Sequence, residues 1–191
     1  MTYRFILVSE EAEDFFREIK IDSEASFLDF HKVILESAGY PDNQMTSFFI
    51  CEDNWEKCEE ITLQEMRTSP DEDSWVMEST RLSEFIEDEG QRLVYVFDPL
   101  TERCFFIELK EISGGRQTKA ECTRKGGVAP RQTIDFDELA KSQNTIDIDE
   151  SFYGDEDFDA EDLDSDEIGS SQQLIDSRHK EDVSLMLRMK F

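Results

Sequence analysis

The stretch GQRLVYVFDPLTERCFFIELKEI, residues 90–112, is the most strongly patterned run in this chain and decides its fold. Its pattern indicates two apolar strands joined by a short turn at Asp98 and Pro99. The first strand carries apolar residues on both faces, which is typical of a strand in the interior of a sheet. We therefore expect a central hairpin at about residues 92–112, with the rest of the sheet built on it.

A helix is predicted upstream of the hairpin, at about residues 27–38. Ser26 can cap its N-terminus, and Asp29 three residues later completes a capping box. Gly39 suits the left-handed position after a helix, and Pro41 prevents continuation. The apolar face has helical spacing and comprises Phe27, Phe30, His31, Ile34, Leu35 and Ala38.

Alternating apolar residues predict three further strands, at residues 2–9, 15–21 and 45–51. The first two form an antiparallel hairpin with a loop of several residues. Ile61 and Leu63 indicate a short strand. The predicted fold is therefore α+β, with a largely antiparallel sheet packed by helices.

A short second helix is expected at about residues 81–89, directly before the central hairpin. Thr80 is its candidate cap and Gly90 its end. Its apolar stripe consists of Leu82, Phe85 and Ile86.

Residues 113–132 change character and predict a loop, because they contain two Gly-Gly pairs and Pro130. One interpretation is a phosphate or nucleic-acid contact, but no Gly-rich phosphate-binding pattern and no interleaved aromatic residues accompany the bases. The other interpretation, which charge balance favours, is that these bases pair with the acidic segment that follows. The candidate partner-binding residues are Arg116, Lys119, Arg124, Lys125 and Arg131.

The formal net charge of −27 is concentrated in residues 135–169, which hold fifteen acidic residues and one base. Such a segment is typical of disorder, but its recurring aromatic residues indicate that it docks in part. We predict a core domain at 1–134, an acidic arm at 135–169 partly docked on the core, and a C-terminal tail at 170–191. The alternating apolar residues 183–191 fit either an edge strand or an amphipathic helix.

The sequence offers no nucleophile–base set, no metal-ligand cluster and no nucleotide-binding loop, so we predict no catalytic residues, no metal site and no cofactor. The four cysteines have irregular spacing and are expected as reduced thiols. A calcium loop beginning at Asp155 departs from the pattern at two positions, where Ala160 replaces the glycine of the sharp turn and Asp166 replaces the glutamate ligand.

No apolar run approaches the roughly 20 residues that span a bilayer, and the N-terminus lacks a basic region before its short apolar run. A cytoplasmic location is therefore expected. The strong negative charge argues against nucleic acid and anionic membranes as partners and favours a basic protein. The oligomeric state stays open at this point.

Two segments resemble the Ri-plasmid ORF-three-like proteins, which also occur as passengers of insertion sequences. In FLDFHKVILESAGYPDNQMTSFFI, residues 27–50, the helix with Asp29-Phe30-His31 and the Gly39-Tyr40 exit are similar to that family's "D-L-H" helix and Gly-aromatic exit. In residues 81–112, the positions that fit the family pattern "Y-x-Y-D-F-G-D-x-W-x-H-x-I-x-L" are Tyr95, Phe97, Asp98, Ile107 and Leu109. Weaker similarities lie at residues 121–130 and 158–168.

The resemblance implies an α+β fold and a family without an established activity. It also makes His31 and Asp98 the candidate remnant of a family site. The polar Gly-Asp-x-Trp-x-His residues of the pattern are absent here, since Leu100, Thr101 and Arg103 stand at the first three of those positions and Phe105 at the last. The resemblance thus implies a hairpin that is structural only.

Our first hypothesis is a non-enzymatic cytoplasmic protein-interaction domain whose acidic arm binds a basic protein. The alternative is a nucleic-acid-associated accessory protein of a mobile element that uses the basic loop at 116–131. A hydrolase with carboxylate chemistry ranks last, because acids are so abundant that any pair of them is uninformative.

Overall fold

The structure, a computed structural model, describes residues 1–65 and 75–133. These residues form eight strands, one α-helix and one short 3₁₀ turn. The strands are β1 (Thr2–Val8), β2 (Phe16–Asp22), β3 (Ser47–Cys51), β4 (Lys57–Thr62), β5 (Trp75–Val76), β6 (Arg92–Asp98), β7 (Arg103–Ser113) and β8 (Glu121–Gly126). The helix α1 spans Phe27–Ala38, and the 3₁₀ turn spans Leu82–Glu84.

The eight strands form one mixed sheet in the order β5-β4-β3-β6-β7-β1-β2-β8. All neighbours are antiparallel except β4 and β5. The predicted hairpin, β6 and β7, occupies the two central positions, with Leu93 opposite Ile107 and Tyr95 opposite Phe105. The predicted α+β class with a largely antiparallel sheet is confirmed, and the hairpin is its centre.

Two apolar clusters lie on opposite faces of the sheet. The larger one is covered by α1, which buries Phe27, Phe30 and Ile34 against it. The hairpin supplies Leu93, Tyr95, Phe97, Phe105, Ile107 and Leu109 to this core. The smaller cluster on the other face comprises Ile6, Val8, Cys51, Trp55, Val94 and Val96. Burial on both faces explains why β6 is apolar at successive positions.

Helix α1 begins and ends where the sequence predicts. The Ser26 hydroxyl accepts from the Asp29 amide at 3.1 Å, and the Asp29 carboxylate accepts from the Ser26 amide at 3.3 Å. Gly39 takes a left-handed backbone with φ of 76° and donates its N–H to Leu35. Both helix ends are therefore satisfied locally.

The predicted helix at 81–89 is wrong in extent, since only the 3₁₀ turn Leu82–Glu84 forms, with Arg81 rather than Thr80 at its N-cap. The backbone in this segment is tied to the loop before α1. Leu82 donates to the Ala25 carbonyl at 3.0 Å, and Ser83 donates to Ser23 at 2.9 Å. These bonds anchor the start of the turn, whose first amides have no acceptor within a helix. A longer helix would need the Glu87 amide to bond the Ser83 carbonyl, but it donates instead to the Gln91 side chain at 3.0 Å.

The prediction that residues 113–132 form a loop is wrong in part, because Glu121–Gly126 form β8 along the edge of β2. This strand lacks an apolar alternation, so the sequence gives no strand signal there. The next residue, Gly127, has a φ of +60°, and a Cβ atom there would lie 2.5 Å from the Asp14 backbone. The second Gly-Gly pair therefore permits a close approach to the β1–β2 turn.

The predicted acidic arm at 135–169 and tail at 170–191 lie outside the described residues. Across residues 1–65 and 75–133, none of the helical segments has the length and apolar character needed to cross a membrane.

Candidate functional site: the groove between α1 and β8

A groove runs between α1 and β8 at one edge of the sheet. It consists of two depressions of about 630 and 430 Å³, which share Val33 and Glu36 from the helix and Lys119 and Ala120 from the chain leading into β8. In the described part of the chain, β8 pairs with β2 on one side and no strand lies on its other side. The groove and the open backbone edge of β8 form one continuous surface, which we call the α1–β8 groove.

Four of the five predicted partner-binding bases line this groove. Arg116 lies in the first depression, Lys119 in both, and Arg124 and Lys125 in the second. Arg131 lies apart, in a depression of about 450 Å³ beside Tyr40.

Acidic side chains of the core accompany these bases. Arg116 lies 3.9 Å from the Asp22 carboxylate, and Arg124 lies 3.8 Å from the Glu18 carboxylate. The groove is also lined by the acids Glu24, Asp29 and Glu36. Its surface is thus of mixed charge rather than a purely basic patch.

Asp22 fixes the entrance of the groove. Its carboxylate accepts from the amides of Glu24 at 3.0 Å and Gln117 at 3.1 Å. These hydrogen bonds, the first of them above all, hold the pKa of Asp22 below its usual value despite some desolvation. The loop before β8 is therefore held at the end of β2 by an ionised carboxylate.

Arg17 is a structural residue of the groove that sequence reasoning missed. Its buried guanidinium donates to the Ser37 carbonyl at 2.9 Å and to the Gly126 carbonyl at 2.6 Å. It thus joins the C-terminal turn of α1 to the end of β8 and complements the helix dipole. Burial lowers the pKa of Arg17 from its ordinary value. The sequence does contain one indication of this buried position: Arg17 alternates with Ile19 and Ile21, which lie on the core face of β2.

His31 is fully buried and forms a hydrogen-bonded link between α1 and the sheet. Its Nδ1 atom lies 2.8 Å from the Tyr95 hydroxyl and 3.3 Å from the Thr46 hydroxyl, and its Nε2 atom lies 3.3 Å from Asp42. With the proton on Nε2, the neutral ring donates to Asp42 and accepts from Tyr95. Burial lowers the pKa of His31, and the Asp42 carboxylate offsets only part of that shift. The neutral form is therefore favoured.

Asp98 stabilises the β6–β7 turn. Its carboxylate accepts from the Leu100 amide at 3.2 Å and from the Thr101 hydroxyl at 2.7 Å, and lies 3.8 Å from Arg103. Arg103 also forms hydrogen bonds with Glu11. His31 and Asp98 have separate partners, and the structure does not bring them together as one site.

Within residues 1–65 and 75–133, no group of three or more His, Cys, Asp or Glu side chains is placed to hold a metal ion. All four cysteines are present as thiols. Burial raises the pKa of the Cys104 thiol to about 12, which disfavours its thiolate.

Over residues 1–65 and 75–133, these features define a class: an α+β protein with one mostly antiparallel sheet, a single α-helix across one face and a charged groove at an edge of the sheet. The family model of plasmid pRiA4b ORF-3-like proteins matches residues 5–167. The chain therefore belongs to the plasmid pRiA4b ORF-3-like family.

The fold also occurs in a solved structure, that of the protein of unknown function MM3350 from Methanosarcina mazei Go1. The two chains are 17% identical, and the match covers 85% of this chain and 94% of that one with a TM-score of 0.53. The comparison with curated proteins gave no match. The solved structure thus shares the fold of this chain, and its description assigns it no function.

Proposed function

We propose that this chain is a non-enzymatic cytoplasmic protein-interaction domain that binds an extended segment of a partner protein in the α1–β8 groove. The observation that carries this proposal is the open edge of β8 beside a groove walled by a helix. An extended peptide can add to such an edge through main-chain hydrogen bonds, while side-chain contacts provide selectivity.

The exposure of β8 supports this role. Glu121, Thr123, Arg124 and Lys125 are exposed, and the strand is held from behind by β2 and by Arg17. A rigid strand with an accessible edge lowers the cost of ordering a bound peptide, because only the peptide loses freedom.

The charge distribution supports a protein partner that is basic overall. The chain has a net charge of −27, which attracts basic proteins at long range and is screened by salt. Lys125 is exposed beside the groove, so a bound segment is expected to carry an acid opposite this lysine.

The environments of His31 and Asp98 support binding rather than catalysis. The His31 ring is fully buried, and the Asp98 carboxylate is engaged by its own turn. A general base has to reach a substrate proton, and neither group lines the depressions beside α1 and Tyr40.

The alternative, a nucleic-acid-associated accessory protein using the bases at 116–131, has weaker support. Asp22 and Glu18 lie beside Arg116 and Arg124, which weakens the local attraction for phosphates. Titration of the full chain with labelled DNA and RNA at low salt tests this alternative, and salt-dependent binding weakened by Lys119→Glu would favour it.

The proposal is tested by selecting random peptides on the full chain from a displayed library. The best peptide is then synthesised, and its affinity and the amide hydrogen exchange of the protein are measured. We expect slowed exchange at residues 121–126. We also expect Lys125→Glu to change the affinity at least about fivefold, roughly 1 kcal/mol.

Lys57→Glu is the matched control, because it makes the same charge change on an exposed residue of β4, at the far side of the sheet. Its affinity is expected to match that of the unaltered chain. Failure to enrich any peptide, protection confined to other strands, or equal effects of the two substitutions would contradict the proposal.

A further inference from the structure

We propose that residues 183–191, VSLMLRMKF, dock on the apolar face of the sheet opposite α1. We call this surface the rear face. It is separate from the α1–β8 groove, so the inference goes beyond the proposed function and does not depend on it. Its side chains are the buried residues Ile6, Val8, Cys51, Trp55, Val94 and Val96, with the half-buried Phe16, Phe49, Cys104 and Phe106 packed against them.

One row of rear-face side chains crosses five neighbouring strands at the same level. Phe49 on β3 lies opposite Val94 on β6, which lies opposite Phe106 on β7. Phe106 in turn lies opposite Val8 on β1, and Val8 lies opposite Phe16 on β2. At about 4.8 Å between strands, the row is roughly 19 Å long. The rear face thus presents a continuous apolar strip in which every second side chain is a half-buried phenylalanine.

A sheet with apolar residues on both faces ordinarily has a covering layer on both faces. The one α-helix of residues 1–65 and 75–133 packs on the other face, and all eight strands of these ranges belong to the same sheet. The turn that carries Trp55 folds over one end of the rear face, where the indole meets Phe106 edge-on with 5.1 Å between ring centroids. We therefore expect the remaining cover to come from outside the described ranges.

The chain contains a segment of suitable length and composition. Residues 134–182 form a tether of 49 residues, which at roughly 3.3 Å per extended residue reaches any point of the sheet. The segment 183–191 measures about 14 Å as a helix and about 30 Å as a strand, so either conformation covers much of the row. Its apolar side chains are Val183, Leu185, Met186, Leu187, Met189 and Phe191.

Charge favours this segment over the acidic one at 135–169. The only charged side chains of 183–191 are Arg188 and Lys190, whereas residues 135–169 hold fifteen acids and one base. A depression of about 330 Å³ lies beside Cys104, at one end of the rear face, and is lined by three glutamates and one arginine: Glu10, Glu11, Glu102 and Arg103. Acids in this position attract a basic segment and repel an acidic one.

The proposal is tested by photo-crosslinking within the full chain. A benzophenone amino acid replaces Leu187, and the cross-linked peptides of the monomer band are identified by mass spectrometry. We expect the cross-links to fall on the rear face, around Phe49, Cys104 and Phe106. The matched control carries the same amino acid in place of Leu174, outside the proposed segment, and is expected to lack these cross-links.

Reactivity of a native thiol measures the same contact without an added group. Cys104 is half-buried on the rear face, whereas Cys58 is exposed on β4 and serves as the internal reference. In the full chain with Leu185→Ser and Leu187→Ser, we expect labelling of Cys104 to accelerate at least about tenfold relative to Cys58, because two apolar side chains no longer hold the cover in place.

Leu174→Ser combined with Ile175→Ser is the matched control for this change and is expected to leave the labelling of Cys104 as it is in the unaltered chain. Thermal melting verifies that the variants fold. Should the Leu185→Ser and Leu187→Ser chain fail to fold, the cross-linking arm decides alone, because it keeps the apolar character of the segment.

Cross-links from position 187 to residues 119–125 of the groove, or no cross-links at all, would overturn the proposal. Cross-links between two chains would also overturn it and would identify a second copy as the occupant of the rear face. Labelling of Cys104 that stays equally slow in a folded Leu185→Ser and Leu187→Ser chain would show that another segment covers this thiol, and would contradict the proposal in the same way.

Discussion

At the scale of single residues, the buried polar groups explain how α1 is held on the sheet. His31 reaches Tyr95 on β6 and Asp42 in the loop after the helix, and Arg17 reaches the last turn of α1. Each satisfies polar groups that would otherwise be buried without partners. These two residues position the helical wall of the α1–β8 groove.

His31 makes the stability of the fold depend on pH. Burial lowers its pKa in the folded state, so the unfolded chain binds the proton more readily. Its contribution is complete above the unfolded pKa of about 6.5 and is lost as pH falls from there towards the folded pKa. We predict that urea unfolding loses free energy between about pH 7 and 5 in the unaltered chain, and loses less in His31→Gln. Equal pH slopes in the two proteins would contradict this account.

Removing the Tyr95 hydroxyl tests the hydrogen bond between Tyr95 and His31. Tyr95→Phe keeps the ring packing against Phe48 and Phe105 and removes the donor to His31 Nδ1. We predict a loss of about 1–2 kcal/mol in the free energy of unfolding, because a buried acceptor keeps only the longer contact with Thr46. Denaturant titration at pH 7.5 measures it; an unchanged midpoint would show that the hydroxyl contributes nothing to the link.

At the scale of elements, the sequence predicts those strands and helices whose own residues carry a clear pattern. The β6–β7 hairpin has apolar residues on both strands, and α1 has a cap, a stripe and a terminating glycine within its own sequence. β8 was missed because an edge strand with polar residues on both faces has no periodicity to read. At residues 81–89 the apolar stripe predicts a longer helix than forms, because the Glu87 amide bonds the Gln91 side chain instead of the Ser83 carbonyl.

Gly127, directly after β8, has a positive φ and lies close to the Asp14 backbone, and glycine suits both conditions. Gly127→Ala would bring a Cβ atom against the Asp14 backbone in addition to straining a φ of +60°. We predict a loss of about 2 kcal/mol or more in the free energy of unfolding. Gly39→Ala is the control for positive φ alone, since its φ of +76° is close to that of Gly127 and nothing lies within 4 Å of its added Cβ. Equal losses in the two variants would remove the argument for close approach.

At the scale of the whole molecule, the two sheet edges differ. β5 is a two-residue strand, whereas β8 offers six residues beside a groove. The basic residues that the sequence singled out fall mainly on this second edge, but only the structure brings them together with α1. Their pairing with the acidic segment at 135–169 stays a prediction, because that segment lies outside the described residues.

Amide hydrogen exchange resolved over residues 121–126 tests the central claim, that β8 acts as a binding edge, most directly. The full chain is compared with and without the selected peptide. We predict slower exchange over this strand when the peptide is bound, with β4 unchanged. Exchange over residues 121–126 that stays the same in every case would contradict the claim.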